Sequence, residues 1–473
     1  MKVLFLAHNL GKTRHFEGLL QELAARGHTV VVTAAHKRNK PLKLGVFSDN
    51  PHIDVVSNPV RRVDEWEPFV RPLRLARDYV RFLDPSYAHA QKLAARGRSY
   101  APPGWPERLE RMRSRRIPIK RALEVAETLI PSERYYELFI RSHAPDVILI
   151  TPLIDFGSYQ TDYVKSAHAL GIPIAFLPFS WDNLTNRGLV RIAPDRALVW
   201  NEHQKREAVT YHDIPPGHVI VTGAPRFDDF FAMSPSTTRE EFCGRAGLDP
   251  ARPFLLYICS SRFVAPDEVS FVRTWARVVR EDRSLGRCGI LVRPHPANAE
   301  PWAGVSLDDI GDAAVWTECP KVQADPALYD SLFHAAAVVG LNTSAMIEAG
   351  ILGKSVHTIQ SPEFAGGQEQ TLHFHYLLSR NSGLVDVAED LPQHVQQVAE
   401  AMRHPDAGRE RSLRFIESFV RPKGIDRPVA PIMADEIEHV AAIGKRPQAT
   451  PLWYRPARAL LLAALRRRGG RAL

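Results

Sequence analysis

Cysteine is scarce in this chain of 473 residues. Its four copies, Cys243, Cys259, Cys288 and Cys319, form no CxxC pair and keep no ligand spacing with histidine. That argues against a disulfide framework or a structural zinc site, and leaves reduced core thiols of a cytoplasmic protein as the expectation. Long apolar runs are missing too: nothing reaches the roughly 18 uninterrupted apolar residues of a bilayer span. The opening Met1–Ala7 is too short for a signal-peptide core and no small-residue cleavage site comes after it, so a soluble, unexported protein is expected. Acid is absent from the tail, where eight Lys/Arg and no Asp/Glu occur from Lys445 onward. Residues 61–121 are also basic, with sixteen Lys/Arg against seven Asp/Glu, and the rest of the chain is net negative although the total is +8. Two basic segments on an acidic body suggest a local anionic surface as partner, not nucleic acid.

What is present is an α/β alternation. Lys2–Ala7 and Thr29–Ala34 read as strands around an amphipathic helix, Phe16–Arg26, the start of a doubly wound parallel sheet. The first turn has no GxGxxG, so a dinucleotide fingerprint is absent. The Arg-rich stretch of about 60–140 interrupts the rhythm and predicts two or three inserted helices. Their arginines either bind a partner or lay their stems over apolar surface. The alternation resumes at Asp146–Thr151, Ile172–Leu177, Ala197–Asn201 and His218–Thr222. It starts again with strands at Phe254–Cys259, Gly289–Val292, Ala335–Val339 and Ser355–Ile359, with further helices up to Ile432–Ile443. The expected organisation is a Rossmann-like domain at 1–232, a linker at 233–253, a second Rossmann-like domain at 254–444 facing the first across a cleft, and a basic tail at 445–473.

Polar residues fall at the carboxyl ends of the predicted strands, where open parallel sheets bind ligands. In the second half these are Ser260, Ser261 and Arg262; Arg293 and His295; and Asn342, Thr343 and Ser344, with Glu348 one turn into the next helix. Hydroxyls, two guanidinium groups and a helix start suit a diphosphate, and Glu348 suits ribose hydroxyls. The plainer alternatives are a turn histidine at 295 and an acid at 348 that only favours the helix dipole. Glu348 lies four residues after Ser344, not the three a capping box requires. In the first half, His15, Asp155 and the Trp181-Asp182-Asn183 loop hold matching positions, with Asp182 the carboxylate of that loop. No metal site is expected; Asp228-Asp229 is an unconvincing pair. The tail segment Leu452–Arg468 places aromatics, leucines and arginines in sequence, suited to lying on an anionic leaflet or to docking on its own protein.

Arg293-Pro-His-Pro296, together with the later segment Leu332–Lys354, resembles the donor half of GT-B glycosyltransferases. Within that group the pattern is similar to bacterial capsule Kdo transferases, which share the serine-rich turn, the Glu-Ala helix and a Phe-Ala-Gly element. Here that element is Pro362–Gln370, and it makes Gln368 a donor contact by resemblance. CDP-glycerol glycerophosphotransferases are similar at Arg293-Pro-His-Pro296, but their Asp-Tyr-Ser-Ser is replaced here by Leu341-Asn-Thr-Ser344. Val221–Asp228 resembles the end of the first domain in lipid A Kdo transferases. His15 is similar to the histidine at the first helix start of many glycosyltransferases, about one turn later.

The resemblance implies catalytic roles for His15, Asp155 and Asp182, donor binding by the second-half residues and no cofactor beyond a nucleotide-activated donor. The partners would be that donor, a glycan or lipid-linked acceptor and, through the tail, an anionic membrane at the cytoplasmic face of the plasma membrane. Two further readings share the architecture: a non-hydrolysing nucleotide-sugar 2-epimerase and a non-catalytic glycan-binding scaffold.

Overall fold

Two parallel sheets organise the chain in the computed structural model, which describes residues 1–35, 47, 50–318, 325–447 and 451–469. Cys319 and Arg471 lie outside the described residues. The first unit comprises Met1–Arg226 and Arg427–Leu473, the second Phe227–Asp426.

The first sheet contains β1 (Lys2–Ala7), β2 (Thr29–Ala34), β3 (Ile53–Ser57), β4 (Val147–Thr151), β5 (Ile174–Phe176), β6 (Arg196–Val199) and β7 (Val219–Val221). Their order is β3-β2-β1-β4-β5-β6-β7, parallel throughout. Side chains alternate across the pleat. Val3 and Phe5 enter one core with Leu19, Leu23 and Leu149, while Leu4 and Leu6 enter the other with Ile148, Ile150 and Tyr163. Both faces are covered, which is why these strands read as unbroken apolar runs.

The second sheet contains β8 (Phe254–Ile258), β9 (Gly289–Arg293), β10 (Ala313–Val315), β11 (Ala337–Gly340), β12 (Val356–Ile359) and β13 (Val385–Ala388), in the order β10-β9-β8-β11-β12-β13. The doubly wound α/β expectation holds for each unit. Three strands went unread in the sequence: β3, β10 and β13, all at sheet edges. Edge strands need no continuous apolar run, and half of β13, at Asp386 and Val387, is only partly buried.

The expected boundaries need correction. Residues 233–253 are not a linker, because Arg239–Ala246 is a helix with a complete Thr238/Glu241 capping box. Asp330 further ties this stretch to the second unit, accepting from Ser236 N–H (2.8 Å) and from the hydroxyls of Ser236 (2.6 Å) and Thr237 (2.7 Å). The end of the second domain also moves. The helix Val429–Ala442 buries Met433, Ala434, Ile437 and Val440 in the core beneath the first sheet, and Arg26 fastens it through Asp435 (2.7 Å) and Glu438 (3.2 Å).

The insertion holds five α-helices instead of two or three: Glu67–Arg81, Gln91–Tyr100, Trp105–Arg111, Arg116–Leu129 and Arg134–His143. Several of its arginines are internal. Arg74, 1% exposed, spans Asp162 (2.8 Å) and Glu127 (3.1 Å). Arg62 reaches Asp162 at 2.7 Å and also pairs with Asp64, while Lys165 reaches Glu127 at 2.8 Å. Three cations thus meet three carboxylates. Burial opposes the Asp162 carboxylate, but Arg74 and Arg62 outweigh it and hold the group below its ordinary range. The network ties two insertion helices to the helix Gln160–Leu170 that comes after β4.

The tail helix Tyr454–Gly469 docks on this insertion. Leu461, Leu462 and Leu465 pack with Trp66, Phe69, Val70, Leu73 and Ile130, and Arg458 Nε donates to Leu129 O at 2.7 Å. The leucines expected to face lipid are in part a packing surface, although Leu452, Trp453 and Leu460 remain exposed. No helix among the described residues is long and apolar enough to cross a membrane.

Replacing Arg74 by Met would leave Asp162 and Glu127 under-compensated in the interior. Removing one partner of such a network costs about 3–5 kcal/mol. Chemical denaturation of Arg74→Met should show a loss on that scale, whereas exposed Arg108→Met should lie within about 0.5 kcal/mol of the parent.

Candidate functional site

Each sheet reverses its winding direction once, between β1 and β4 in the first unit and between β8 and β11 in the second. Crevices open at such points beyond the carboxyl ends of the strands. In both units the predicted site residues gather there.

In the second unit, β9, β8 and β11 are consecutive neighbours, so the three polar loops stand side by side. They are knitted together. Ser260 Oγ accepts from Asn342 N–H (3.3 Å), and the Asn298 amide donates to Ala265 O (3.0 Å). The Asn342 amide donates to Gly367 O (2.7 Å), joining the loop after β12. Glycines permit the close approaches: a Cβ on Gly340 would lie 2.7 Å from Ile258 O, and one on Gly367 would lie 2.7 Å from Val264 Cα. Ser261, His295, Thr343 and Ser344 keep part of their surface in solvent, and Arg262 is exposed. His295 is fixed by the Ala297 N–H, which donates to its Nδ1 at 3.0 Å. Glu348 is 6% exposed on the helix Ala345–Ile351.

Several expected roles change. Arg293 is buried and donates to Asp325 (2.7 Å) and Ser331 (3.0 Å), so its charge is balanced inside the fold. It anchors the start of the helix Pro326–His334, for which Asp325 is the cap, and is displaced as a direct phosphate ligand. Gln368 is fully buried, and its amide donates to Leu341 O, Thr358 Oγ1 and Ile359 O, each at 3.1 Å. It braces the loops instead of facing a donor. No side-chain cap closes the helix at Ser344; the Met346 and Ile347 N–H groups bond Thr343 O and Ser344 O instead. That weakens the expected helix-tip contribution to an anion site.

One acid was missed. Glu268 is 1% exposed and accepts from Ser260 N–H (2.6 Å) and the Tyr257 hydroxyl (3.3 Å). Burial pushes its carboxyl up to about 7. In the sequence it is merely an acid before a helix; only the fold places it beneath the Ser260 turn.

In the first unit, the segments after β1, β4 and β5 converge. Asp155 bonds Arg187 (2.7 Å) and lies 3.5 Å from His8 Nδ1. His15 stacks on Phe179 with centroids 5.2 Å apart, and Lys12 Nζ lies 3.9 Å from the same ring centre. Asp182 accepts from the Asn186 side-chain amide. The structure therefore brings His15, Asp155 and Asp182 into one region. Trp181 and Phe179 are both buried, and Phe179 is the ring of this loop that His15 and Lys12 contact. His8, Lys12 and Arg187 were not singled out from the sequence. Their position in and beside the first strand-to-helix turn was the available signal for His8 and Lys12. Among the described residues, no group of three or more His, Cys, Asp or Glu is arranged to hold a metal.

No protein-family model matches the sequence, and no curated protein matches it either. Solved structures do. UDP-GlcNAc 2-epimerase from Neisseria meningitidis, bound to UDP-GlcNAc, superposes with a TM-score of 0.52 at 11% identity, over 93% of this chain and 100% of that one. A glycosyltransferase from Rickettsia africae gives 0.52 at 9% identity, over 93% and 98%. The S. aureus MnaA–UDP structure gives 0.52 at 12% identity, over 95% and 99%. The fold is GT-B. At these identities the GT-B likeness establishes architecture and leaves the reaction to be argued from the site.

The Glu268 carboxyl yields a pH prediction. Its folded pKa lies above the ordinary value, so the folded protein binds this proton more tightly than the unfolded chain. The favourable contribution is complete below about pH 4.5 and declines as pH rises to about 7, by roughly 3 kcal/mol. Glu268→Gln should therefore gain stability relative to the parent between pH 5 and 7, measured as a pH series of unfolding curves.

Proposed function

We propose that this protein transfers a sugar, or a polyol phosphate, from a nucleotide-activated donor to a glycan or lipid-linked acceptor without a metal ion. The observation that carries the reading is the coincidence of polar clusters with the winding reversal in both units. In the second unit, Arg262, His295 and the Thr343–Ser344 hydroxyls would bind the leaving phosphate, and Glu348 the nucleotide ribose. Preorganised charge at the leaving group is the main catalytic term to expect. In the first unit, His8, 3.5 Å from Asp155, would take the acceptor hydroxyl proton as the new bond to the transferred group forms and the bond to the nucleotide phosphate breaks. The resemblance of the donor-side motifs to those of capsule Kdo transferases, and at Arg293-Pro-His-Pro296 to CDP-glycerol glycerophosphotransferases, supports a surface-glycan product on sequence grounds alone.

The competing reading is a non-hydrolysing nucleotide-sugar 2-epimerase. It is favoured by the likeness to UDP-GlcNAc 2-epimerase, which equals the likeness to the Rickettsia glycosyltransferase. Proton NMR of UDP-GlcNAc with this protein and no acceptor separates the two, since only an epimerase accumulates the 2-epimer. A scaffold would bind such a donor and turn over none.

We also place the reaction on an anionic membrane face on the cytoplasmic side. Support comes from the exposed large apolar side chains, all of which except Phe333 lie in the insertion or the tail among the described residues. Exposed arginines such as Arg61, Arg121 and Arg455 accompany them, and each basic residue near such a surface contributes about 1 kcal/mol.

Two measurements test these assignments. A thermal-shift panel of UDP-, GDP-, CDP-, CMP- and dTDP-linked compounds should give one selective rise in Tm, and Glu348→Gln and His295→Ala should each weaken that ligand by about tenfold or more, roughly 1.4 kcal/mol. Unchanged affinity in both variants rules the site out. Sedimentation with vesicles should show binding to phosphatidylglycerol and not phosphatidylcholine, reduced in the Trp453→Ser/Leu460→Ser double variant; equal sedimentation with both lipids rejects the membrane assignment.

A further inference from the structure

Several cationic side chains crowd the winding reversal of the first unit. Lys12, Arg14, Arg96 and Arg187 share one electrostatic neighbourhood with two acids, Asp155 and Asp182. They come from three separate parts of the chain: the turn after β1, the insertion helix Gln91–Tyr100 and the segment after β5. Phe179 is the common floor. The Lys12 ammonium sits 3.9 Å from its ring centre, the Arg187 guanidinium carbon 5.2 Å, and His15 stacks on it.

Such crowding is unfavourable in itself. Burial, and after it the neighbouring Arg187 charge, pull the Lys12 ammonium down to about 8. Asp155 and Asp182 offset this only in part: Asp155 has one oxygen on Arg187 at 2.7 Å, and its other oxygen faces His8 at 3.5 Å. Arg187 Nε is buried and has no hydrogen-bond partner among the described residues. A donor without a partner, beside a second cation on one aromatic face, is arranged for an oxyanion: the guanidinium offers a planar fork and the ammonium a point charge.

We propose that the acceptor is an anionic molecule, recognised through a phosphate or carboxylate held between Lys12 and Arg187. This rests on the transferase reading and deepens it, because it assigns the acceptor a chemical class. The anion site lies beside His8 and Asp155, so a charged group bound there would set the position of a nearby hydroxyl for proton removal.

Isothermal titration of the full chain with inorganic phosphate and, separately, with acetate tests the site and distinguishes its two oxyanion chemistries. We expect a binding event that weakens at least tenfold in Lys12→Gln and in Arg187→Gln, weakens less in Arg187→Lys, which keeps the charge but not the fork, and survives Arg262→Gln and His295→Ala in the second unit. Binding of either anion that is indifferent to Lys12→Gln and Arg187→Gln, or lost only in the second-unit variants, overturns the proposal. So does the absence of binding by both anions. The transferase reading stands or falls separately on the nucleotide thermal shift: a protein that binds a nucleotide donor but no anion at Lys12 refutes only the acceptor class. One that binds phosphate through Lys12 but no nucleotide refutes the transfer reaction and keeps the anion site.

Discussion

A parallel sheet must be connected by crossovers that all turn the same way. When successive crossovers switch from one side of the starting strand to the other, two neighbouring loops leave the sheet in opposite directions. This constraint shapes both units. It occurs between β1 and β4 and again between β8 and β11. Each pair of strands delivers backbone and side chains to the crevice at its carboxyl end. His8 and Asp155 meet at the first reversal, Ser260 and Asn342 at the second.

Around that constraint, the two units stabilise their loops by different means. In the second unit neutral amide side chains do much of it, with Asn342, Asn298 and Gln368 each bridging separate loops beside the Arg293–Asp325 ion pair. In the first, charge does it. Arg62, Arg74, Lys165, Asp64, Asp162 and Glu127 hold the helical insertion against the helix after β4. That attachment has a consequence for the site, because Arg96 of the same insertion contributes to the field at Asp155 and Asp182. The insertion is thus a support for the first-unit cluster as well as a surface.

Much of the architecture was legible in the sequence because a strand buried on both faces leaves an unmistakable apolar run. Val3–Ala7, Val147–Thr151 and Phe254–Ile258 are of this kind. The edge strands β3, β10 and β13 were not legible, since partial exposure removes the run. The candidate residues of the second unit were legible from their place just beyond the carboxyl end of each strand, and the sheet order makes those strands neighbours. Individual roles were less accessible. Arg293 in Arg293-Pro-His-Pro296 looks the same on paper whether it faces a phosphate or Asp325, and only the position of the helix Pro326–His334 decides between them.

The sequence by itself determined the alternation of strands and helices, the two-sheet α/β class and the short polar segments at strand ends, because all three arise from local periodicity and turn chemistry. Tertiary structure decided which charges face solvent and which are internal. It turned Arg74 into a buried strut, gathered Lys12 and Arg187 over Phe179, and set Glu268 under Ser260. It also returned the helix Val429–Ala442 to the first unit. The reason is common to all of these: a charge or an apolar face acquires its partner from residues distant in sequence, and no local pattern records which partner that is.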